Sequence, residues 1–343
     1  MTTSAFNTRQ LCRISVRRPR ESAQVDLNDT GNAQCISALH GEDMLHCDEE
    51  RTWRIWTGTH WAKQNSAAFR MATNTFTLFK EQAEKSKSEG KQALVRFANR
   101  ALDHAKIKAA LSTLEHDKQT FASRFDQSSH LLNFLNGTLD LKSGELRQHE
   151  RDNLITKIVR HDYSPDAKAP VFLAFINRIM GGNQEMIGFL QRSLGYSMTG
   201  DTSERAIFLA HGTGTNGKST LLDLVRDLIS DYASKIMIDS LAQSGNGAST
   251  TALADLADLR GARFASTSEG ESGQGFGAVL KRITQGNNGA IKTSRKYENP
   301  IEFRESHKLW LDTNHLPSLP PGDDALWNRL SYPLRRDHSQ GAN

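Results

Sequence analysis

The sequence predicts an α/β protein with two folded parts, a mainly helical α+β domain over residues 31–195 and a mostly parallel sheet over 196–337. A glycine-rich loop between an apolar strand and an amphipathic helix predicts the second part. Strand-like pieces near 235–239, 262–267 and 308–313, separated by helical stretches, support it because alternating strands and helices form parallel sheets covered on both faces. Helical periodicity broken by short hairpins predicts the first part.

Composition limits the classes of protein that the chain can belong to. Its 343 residues suffice for two domains, and 24% charged with 37% hydrophobic residues is ordinary for a soluble protein. A formal net charge of +4 excludes a polycation, so a nucleic-acid surface must be a local patch. No apolar run approaches the ~18 residues of a membrane helix, and no apolar segment follows the N-terminal arginines. We expect a cytoplasmic protein with no membrane partner.

The cysteines leave two alternatives open. All three, Cys12, Cys35 and Cys47, lie in the first 47 residues; His40 and His46 lie in the same stretch, which would suit a zinc site. The chain has no C-x-x-C pair, however, and this favours free thiols in a reducing compartment.

The first domain follows a polar, arginine-rich segment over residues 1–30, which has no periodicity and predicts a flexible basic tail. Residues 338–343 are expected to form a second tail.

The segment Trp53–Trp61 predicts a hairpin around Gly58, whose tryptophans either form its core or stack on single-stranded bases. Helices are predicted near 66–88, 91–103, 106–116, 171–180 and 183–195, with a small meander at Asn136–Gly137 and Ser143–Gly144.

The glycine-rich loop fits the pattern G-x-x-x-x-G-K-[ST] and stands in the strand–loop–helix context that this pattern requires. Glycines let backbone N–H groups point at phosphate oxygens, and the helix N-terminus adds positive charge. Lys218 is expected to reach the β- and γ-phosphates of ATP, and Ser219 to bind Mg²⁺. The predicted nucleotide-binding residues are Gly212, Thr213, Gly214, Thr215, Asn216, Gly217, Lys218, Ser219 and Thr220. The apolar face of the following helix is predicted to contain Leu221, Leu222, Val225, Leu228 and Ile229.

Three further residues are candidates for catalysis: Glu269 and Asn314, which follow predicted strands, and Arg329, which is expected at the edge of the sheet. Ser268 and Glu269 follow one strand, where a carboxylate could orient or deprotonate water near Mg²⁺; Glu271 is the competing acid, and a surface acid is the alternative. Asn314 follows the next strand, where its amide could sense the γ-phosphate. Arg329 could reach a neighbouring subunit's nucleotide, or form a surface ion pair.

A basic segment, Lys281–Tyr297, lies between Glu269 and Asn314 and contains a glycine-rich turn and one aromatic residue. Such a composition suits a hairpin that presents cations to single-stranded DNA, whereas a solvated basic loop is the alternative. The predicted DNA-binding residues are Lys281, Arg282, Lys292, Arg295 and Lys296.

Together these motifs resemble the superfamily 3 helicases, in particular the helicase half of phage, plasmid and poxvirus primase-helicases. The resemblance covers about residues 30–333. It implies a P-loop AAA+ core, ATP and Mg²⁺ as ligands, a homo-hexameric ring that moves along single-stranded DNA during mobile-element replication, and a separate primase as a partner. The motifs are Trp53–Trp61, Asn136–Leu141, the glycine-rich loop, Ser268–Glu269, Thr284–Gly286, Leu311–Pro317 and Asp324–Arg329.

Some features depart from the pattern of those helicases. Gln285–Asn287 stands where they usually have Gly-Gly-Asp, and the strand before Glu269 is less apolar than theirs. They also continue after the position of Arg329 through a further strand and a winged-helix-like region, which the residues here do not resemble. We therefore expect a truncated form, with the alternative that it binds ATP and DNA without unwinding. A kinase or GTPase is a third hypothesis, although the Asn-Lys-x-Asp motif of GTPases is absent.

Overall fold

The computed structural model describes residues 28–87, 90–212, 216–237, 250–268, 276–286, 289–296, 298–314 and 324–334. These residues form two compact units. The first contains the described residues up to Thr57 together with Trp61–Phe121, and the second contains Gly58–His60 together with the described residues from Ala122 onwards. Most of the predicted N-terminal tail and all of the C-terminal tail lie outside the described residues.

The first unit packs helices on a small sheet. The helices are α1 (Asp29–His40), α2 (Asn65–Lys85), α3 (Lys91–Ala101) and α4 (His104–Asp117). The strands are β1 (Met44–Cys47), β2 (Thr52–Trp56), β3 (Trp61–Lys63) and β4 (Gln119–Thr120), in the order β3-β2-β1-β4. Sequence periodicity did not predict α1, which begins where the Asn28 side chain accepts a hydrogen bond from Gly31 N at 2.9 Å.

The tryptophan-rich segment forms the predicted hairpin, with Trp56 opposite Trp61 in the antiparallel register of β2 and β3. Trp53 and Trp61 are buried and Trp53 belongs to the apolar cluster of this unit, so both act as core residues. The hairpin-core interpretation is therefore the one that holds for these two rings.

The cysteines that the structure describes are Cys35 and Cys47; both are buried, and the Cys47 thiol donates to Glu49 Oε2 at 3.6 Å. Burial raises the pKa of the Cys35 thiol to about 11. The described part of the chain contains no group of three or more His, Cys, Asp or Glu side chains that could hold a metal ion.

The second unit begins with the predicted meander and the two predicted helices. The meander is an antiparallel sheet of β5 (Leu131–Phe134), β6 (Gly137–Asp140) and β7 (Glu145–Arg147). Helices α5 (Pro170–Ile179) and α6 (Gln184–Met198) follow it.

A five-stranded sheet forms the centre of the second unit, and every neighbouring pair in it is parallel. The strands are β8 (Ile207–His211), β9 (Ala233–Lys235), β10 (Phe264–Ser268), β13 (Lys308–Thr313) and β14 (Leu330–Leu334), in the order β14-β8-β13-β10-β9. The prediction of a mostly parallel sheet is confirmed. The core includes Phe208, Phe264 and Trp310, whose indole Nε1 donates to Ser197 Oγ at 2.9 Å.

The remaining elements connect these strands. An antiparallel hairpin of β11 (Ala290–Thr293) and β12 (Ile301–Arg304) lies between β10 and β13 in the chain. The helices are α7 (Lys218–Ile229), α8 (Thr250–Asp258), α9 (Phe276–Ile283) and the single turn α10 (Asp324–Trp327).

Two expectations from the sequence are wrong. Leu228 is 53% exposed, so the buried face of α7 consists of Leu221, Leu222, Val225 and Ile229 without it. The strand expected to be missing after Arg329 is present as β14, which pairs with β8. Pro333 within β14 lacks an N–H, and β14 lies at one end of the described sheet, where a missing donor is tolerated.

Among the residues that the structure describes, none of the helices combines the length and the apolar character that a bilayer crossing requires.

Candidate nucleotide-binding site

The glycine-rich loop joins the buried strand β8 to the first turn of α7. Gly212 and Asn216–Gly217 border the loop, whereas Thr213, Gly214 and Thr215 lie outside the described residues. Gly217 has a φ of +86°, a value that L side chains rarely adopt, and a Cβ there would lie 2.8 Å from Ile179 Cγ2. This position therefore requires glycine for both its backbone and its close contact with α5.

Lys218 points back into the loop and is only 4% exposed. Its Nζ donates to Gly212 O at 2.7 Å, to Asn216 Oδ1 at 3.1 Å and to Asn314 Oδ1 at 3.1 Å. These three acceptors are neutral oxygens, whereas a carboxylate oxygen, Asp312 Oδ1, lies farther from the ammonium, at 4.0 Å. The structure thus brings together Lys218 and Asn314, two candidates that are far apart in the sequence.

The hydroxyl of Ser219 contacts a residue that sequence reasoning missed. Ser219 Oγ donates to Asp312 Oδ2 at 2.6 Å, and Asp312 Oδ1 lies 4.0 Å from Lys218 Nζ. The sequence does contain a signal for Asp312, because it is an acid directly after the buried run Lys308–Leu311. Polar residues at the carboxyl ends of parallel strands meet at ligand sites. Thr220 lies in the same helical turn and is exposed.

Parallel pairing explains why Asp312 and Asn314 lie near the loop. In the sheet, Asp312 is level with Ala210 of β8 on one side and with Ser268 of β10 on the other. Ser268 ends β10, and Glu269 is the next residue in the chain. Glu269 and Glu271 themselves lie outside the described residues.

Arg329 lies between α10 and β14. Its Nη1 donates to Lys281 O at 3.4 Å and to Thr284 Oγ1 at 3.3 Å, both at the end of α9 in the same chain.

The predicted DNA-binding cations are spread over two elements. Lys281 and Arg282 occupy the last turn of α9, and Lys292 lies on the exposed face of β11 opposite Glu302 of β12. Arg295 and Lys296 follow β11 in the hairpin connection, and the Arg295 guanidinium forms an ion pair with Asp258 of α8. A hairpin is present, but it begins at Ala290, so the expectation that it also carries Lys281 and Arg282 is wrong; the charge of Arg295 in its connection is partly neutralised.

A buried acid anchors the base of this hairpin. Glu305 Oε2 accepts hydrogen bonds from Gln285 N at 2.7 Å and from Gly286 N at 3.0 Å, just before β11. Burial raises the pKa of this carboxyl to about 7, although both backbone donors act in the opposite direction. Burial also lowers the pKa of neighbouring His307 to about 4.

Two segments of the chain match models of known protein families. Residues 33–181 match the family described as D5 N terminal like, and residues 210–329 match a family of unknown function (DUF5906). The chain is 27% identical over 214 residues to "Putative helicase L207/L206" of Acanthamoeba polyphaga mimivirus. That match covers 61% of this chain and 22% of the relative, so the chain spans only a small part of the viral protein. These matches support a relationship to D5-like primase-helicases.

The fold resembles a solved structure, the A form of the apo C-terminal region of NrS-1, with a TM-score of 0.50. The two are 10% identical, and the match covers 90% of this chain and 63% of the other. At this identity the likeness concerns the fold alone.

Proposed function

We propose that this protein is an ATP-dependent DNA helicase or translocase subunit of a phage- or plasmid-like replication system. The observation that carries this proposal is the hydrogen bond from Lys218, at the start of α7, to Asn314, which follows β13, the parallel neighbour of β8. A buried ammonium at a glycine-rich strand–helix turn, held by neutral oxygens, can exchange those oxygens for phosphate oxygens when ATP binds.

The residues present also fit a divalent cation, because Mg²⁺ prefers oxygen ligands and the Ser219 hydroxyl is exposed beside a carboxylate. When bound, Mg²⁺ would neutralise developing charge on the β- and γ-phosphates. Ser219, Ser268 and Glu269 would hold the metal, partly through water.

Each remaining residue has a distinct role in the proposed hydrolysis. Lys218 binds the β- and γ-phosphates of the nucleotide, and Glu269 orients or deprotonates the attacking water. Asn314, already in contact with Lys218, senses the γ-phosphate. Arg329 acts on the nucleotide of the next subunit in a homo-hexameric AAA+ ring, where its charge stabilises the transition state.

The DNA path in this proposal follows the basic hairpin and the end of α9. Lys292 and Lys296 contact the phosphate backbone of single-stranded DNA, together with Lys281 and Arg282. A separate primase supplies primers in such a replication system.

ATP hydrolysis measured with and without single-stranded DNA, alongside the particle mass, tests the proposal. We expect DNA-stimulated hydrolysis by a ring, and loss of Mg-ATP binding in a folded Lys218→Ala protein, because the cradle loses its side-chain cation. Unchanged ATP affinity in that variant would overturn the nucleotide site. Binding of ATP and DNA without stimulated hydrolysis would instead favour the alternative of a protein that does not unwind.

Action across subunits has a separate test. Glu269→Gln should leave ATP binding unchanged and lower the rate of hydrolysis by roughly 10²-fold, since acid–base assistance contributes about that factor to the rate. Mixing it with Arg329→Ala should restore part of the hydrolysis, because the intact arginine of one subunit serves the intact site of another. No recovery at any mixing ratio would refute action in trans.

A further inference from the structure

Asp312 connects the two side chains of the loop that the proposed function depends on. Its carboxylate accepts a hydrogen bond from Ser219 Oγ at 2.6 Å through one oxygen, and its other oxygen lies 4.0 Å from Lys218 Nζ. The side chain is 20% exposed, so it is largely shielded but still open to a small ligand.

The position of Asp312 in the sheet is equally specific. Strand β13 lies between β8, which leads into the loop, and β10, which leads to Glu269. Asp312 is level with the last residue of β10 and one residue before the end of β8, so it stands where the two polar strand ends converge.

A purely structural role does not require the charge of Asp312. An amide oxygen at the same place would accept the Ser219 hydrogen bond equally well. A carboxylate beside the site proposed for the β- and γ-phosphates repels them unless a cation lies between, and a bound divalent ion converts that repulsion into attraction. Hydroxyl and carboxylate oxygens are also the donors that Mg²⁺ prefers.

We propose that Asp312 is a magnesium-binding carboxylate of the nucleotide site, which holds the ion together with Ser219, either directly or through a bound water. The inference rests on the proposed function, since it assumes that a nucleotide binds at the loop. Under this proposal the metal site has two acids, Asp312 and Glu269. Nucleotide binding then depends on the metal more strongly than it would if Lys218 alone neutralised the phosphates.

Mn²⁺ titration followed by electron paramagnetic resonance, with a non-hydrolysable ATP analogue, tests this role. Asp312→Asn keeps a hydrogen-bond acceptor for Ser219 and removes the charge. We expect Mn²⁺ affinity in the ternary complex to fall by roughly 10- to 100-fold, as for other groups that support a metal. In EDTA, the analogue should bind the variant at least as tightly as wild type, because a repulsive charge is gone.

Asp231→Asn is the matched control, because Asp231 is also a largely shielded acid (25% exposed) that accepts a side-chain hydrogen bond in the same unit. It should leave Mn²⁺ affinity unchanged. Unchanged Mn²⁺ affinity in folded Asp312→Asn overturns the inference, whereas failure of the wild-type protein to bind the analogue with Mn²⁺ overturns the proposed function itself.

A second measurement needs no variant. Carbodiimide labelling of Asp312 in the wild-type protein, read by peptide mass spectrometry, should be suppressed by Mn²⁺ with the analogue and not by the analogue in EDTA. Equal suppression in both conditions would show that the nucleotide alone covers this carboxylate, and would also overturn the metal role.

Discussion

The buried Glu305 makes the stability of the second unit depend on pH in a direction that can be measured. Burial raises the pKa of this carboxyl from 4.5 to about 7, so the folded protein holds a proton that the unfolded chain has released. Stability is therefore greatest below the unfolded pKa and falls as pH rises from about 4.5 to about 7. Each tenfold change in proton affinity is worth about 1.4 kcal/mol, so this rise corresponds to about 3 kcal/mol.

Glu305→Gln removes this titration while keeping an acceptor for Gln285 N and Gly286 N. At about pH 4 the variant and the wild type should have similar free energies of unfolding, and above about pH 7 the variant should be more stable by about 3 kcal/mol. Urea unfolding followed by tryptophan fluorescence at a series of pH values measures the difference. His307, whose pKa is lowered to about 4, titrates in both proteins and cancels. A difference that does not change with pH would refute the reasoning.

Two further predictions concern the loop and the hairpin. Gly217→Ala should lower both stability and ATP affinity, because the added Cβ would lie 2.8 Å from Ile179 Cγ2 at a backbone φ of +86°. Thermal unfolding and ATP titration measure the two effects, and wild-type values for both would contradict this prediction. The logarithm of the single-stranded DNA binding constant falls with the logarithm of the salt concentration, and Lys292→Ala should reduce the steepness of that slope by about 0.7. Lys296→Ala should reduce it by a similar amount. Arg295→Ala should change the slope less, because Asp258 already neutralises part of its charge; a full effect at Arg295 would mean that this pair opens on DNA.

The elements that the sequence predicted well have local signals. The helices near 171–180 and 183–195, the meander and the glycine-rich strand–loop–helix turn all depend on residues close together in the chain, and each appears within a few residues of its expected bounds. Helix α1 and Leu228 were misjudged because burial depends on the surrounding structure and not on local polarity alone. Helix α1 has a polar sequence but a buried face. Leu228 is apolar and has helical spacing, yet its side chain is exposed to solvent.

Strand β14 shows how a pattern can mislead when a family resemblance sets the expectation. The residues after Arg329 do not look like the continuation expected from superfamily 3 helicases, yet Leu330–Leu334 pairs with β8. Backbone hydrogen bonding depends little on side-chain identity, so a strand can form from residues that carry no recognisable motif.

The sequence by itself determined the glycine-rich turn, because Gly217, Lys218 and Ser219 owe their geometry to a strand, a turn and a helix that are contiguous in the chain. Only the tertiary structure decided that Asp312 and Asn314 face that turn, since the order of strands in a sheet depends on packing between distant segments. The raised pKa of Glu305 was likewise decided by the fold, because desolvation depends on what surrounds a side chain and not on its neighbours in the sequence.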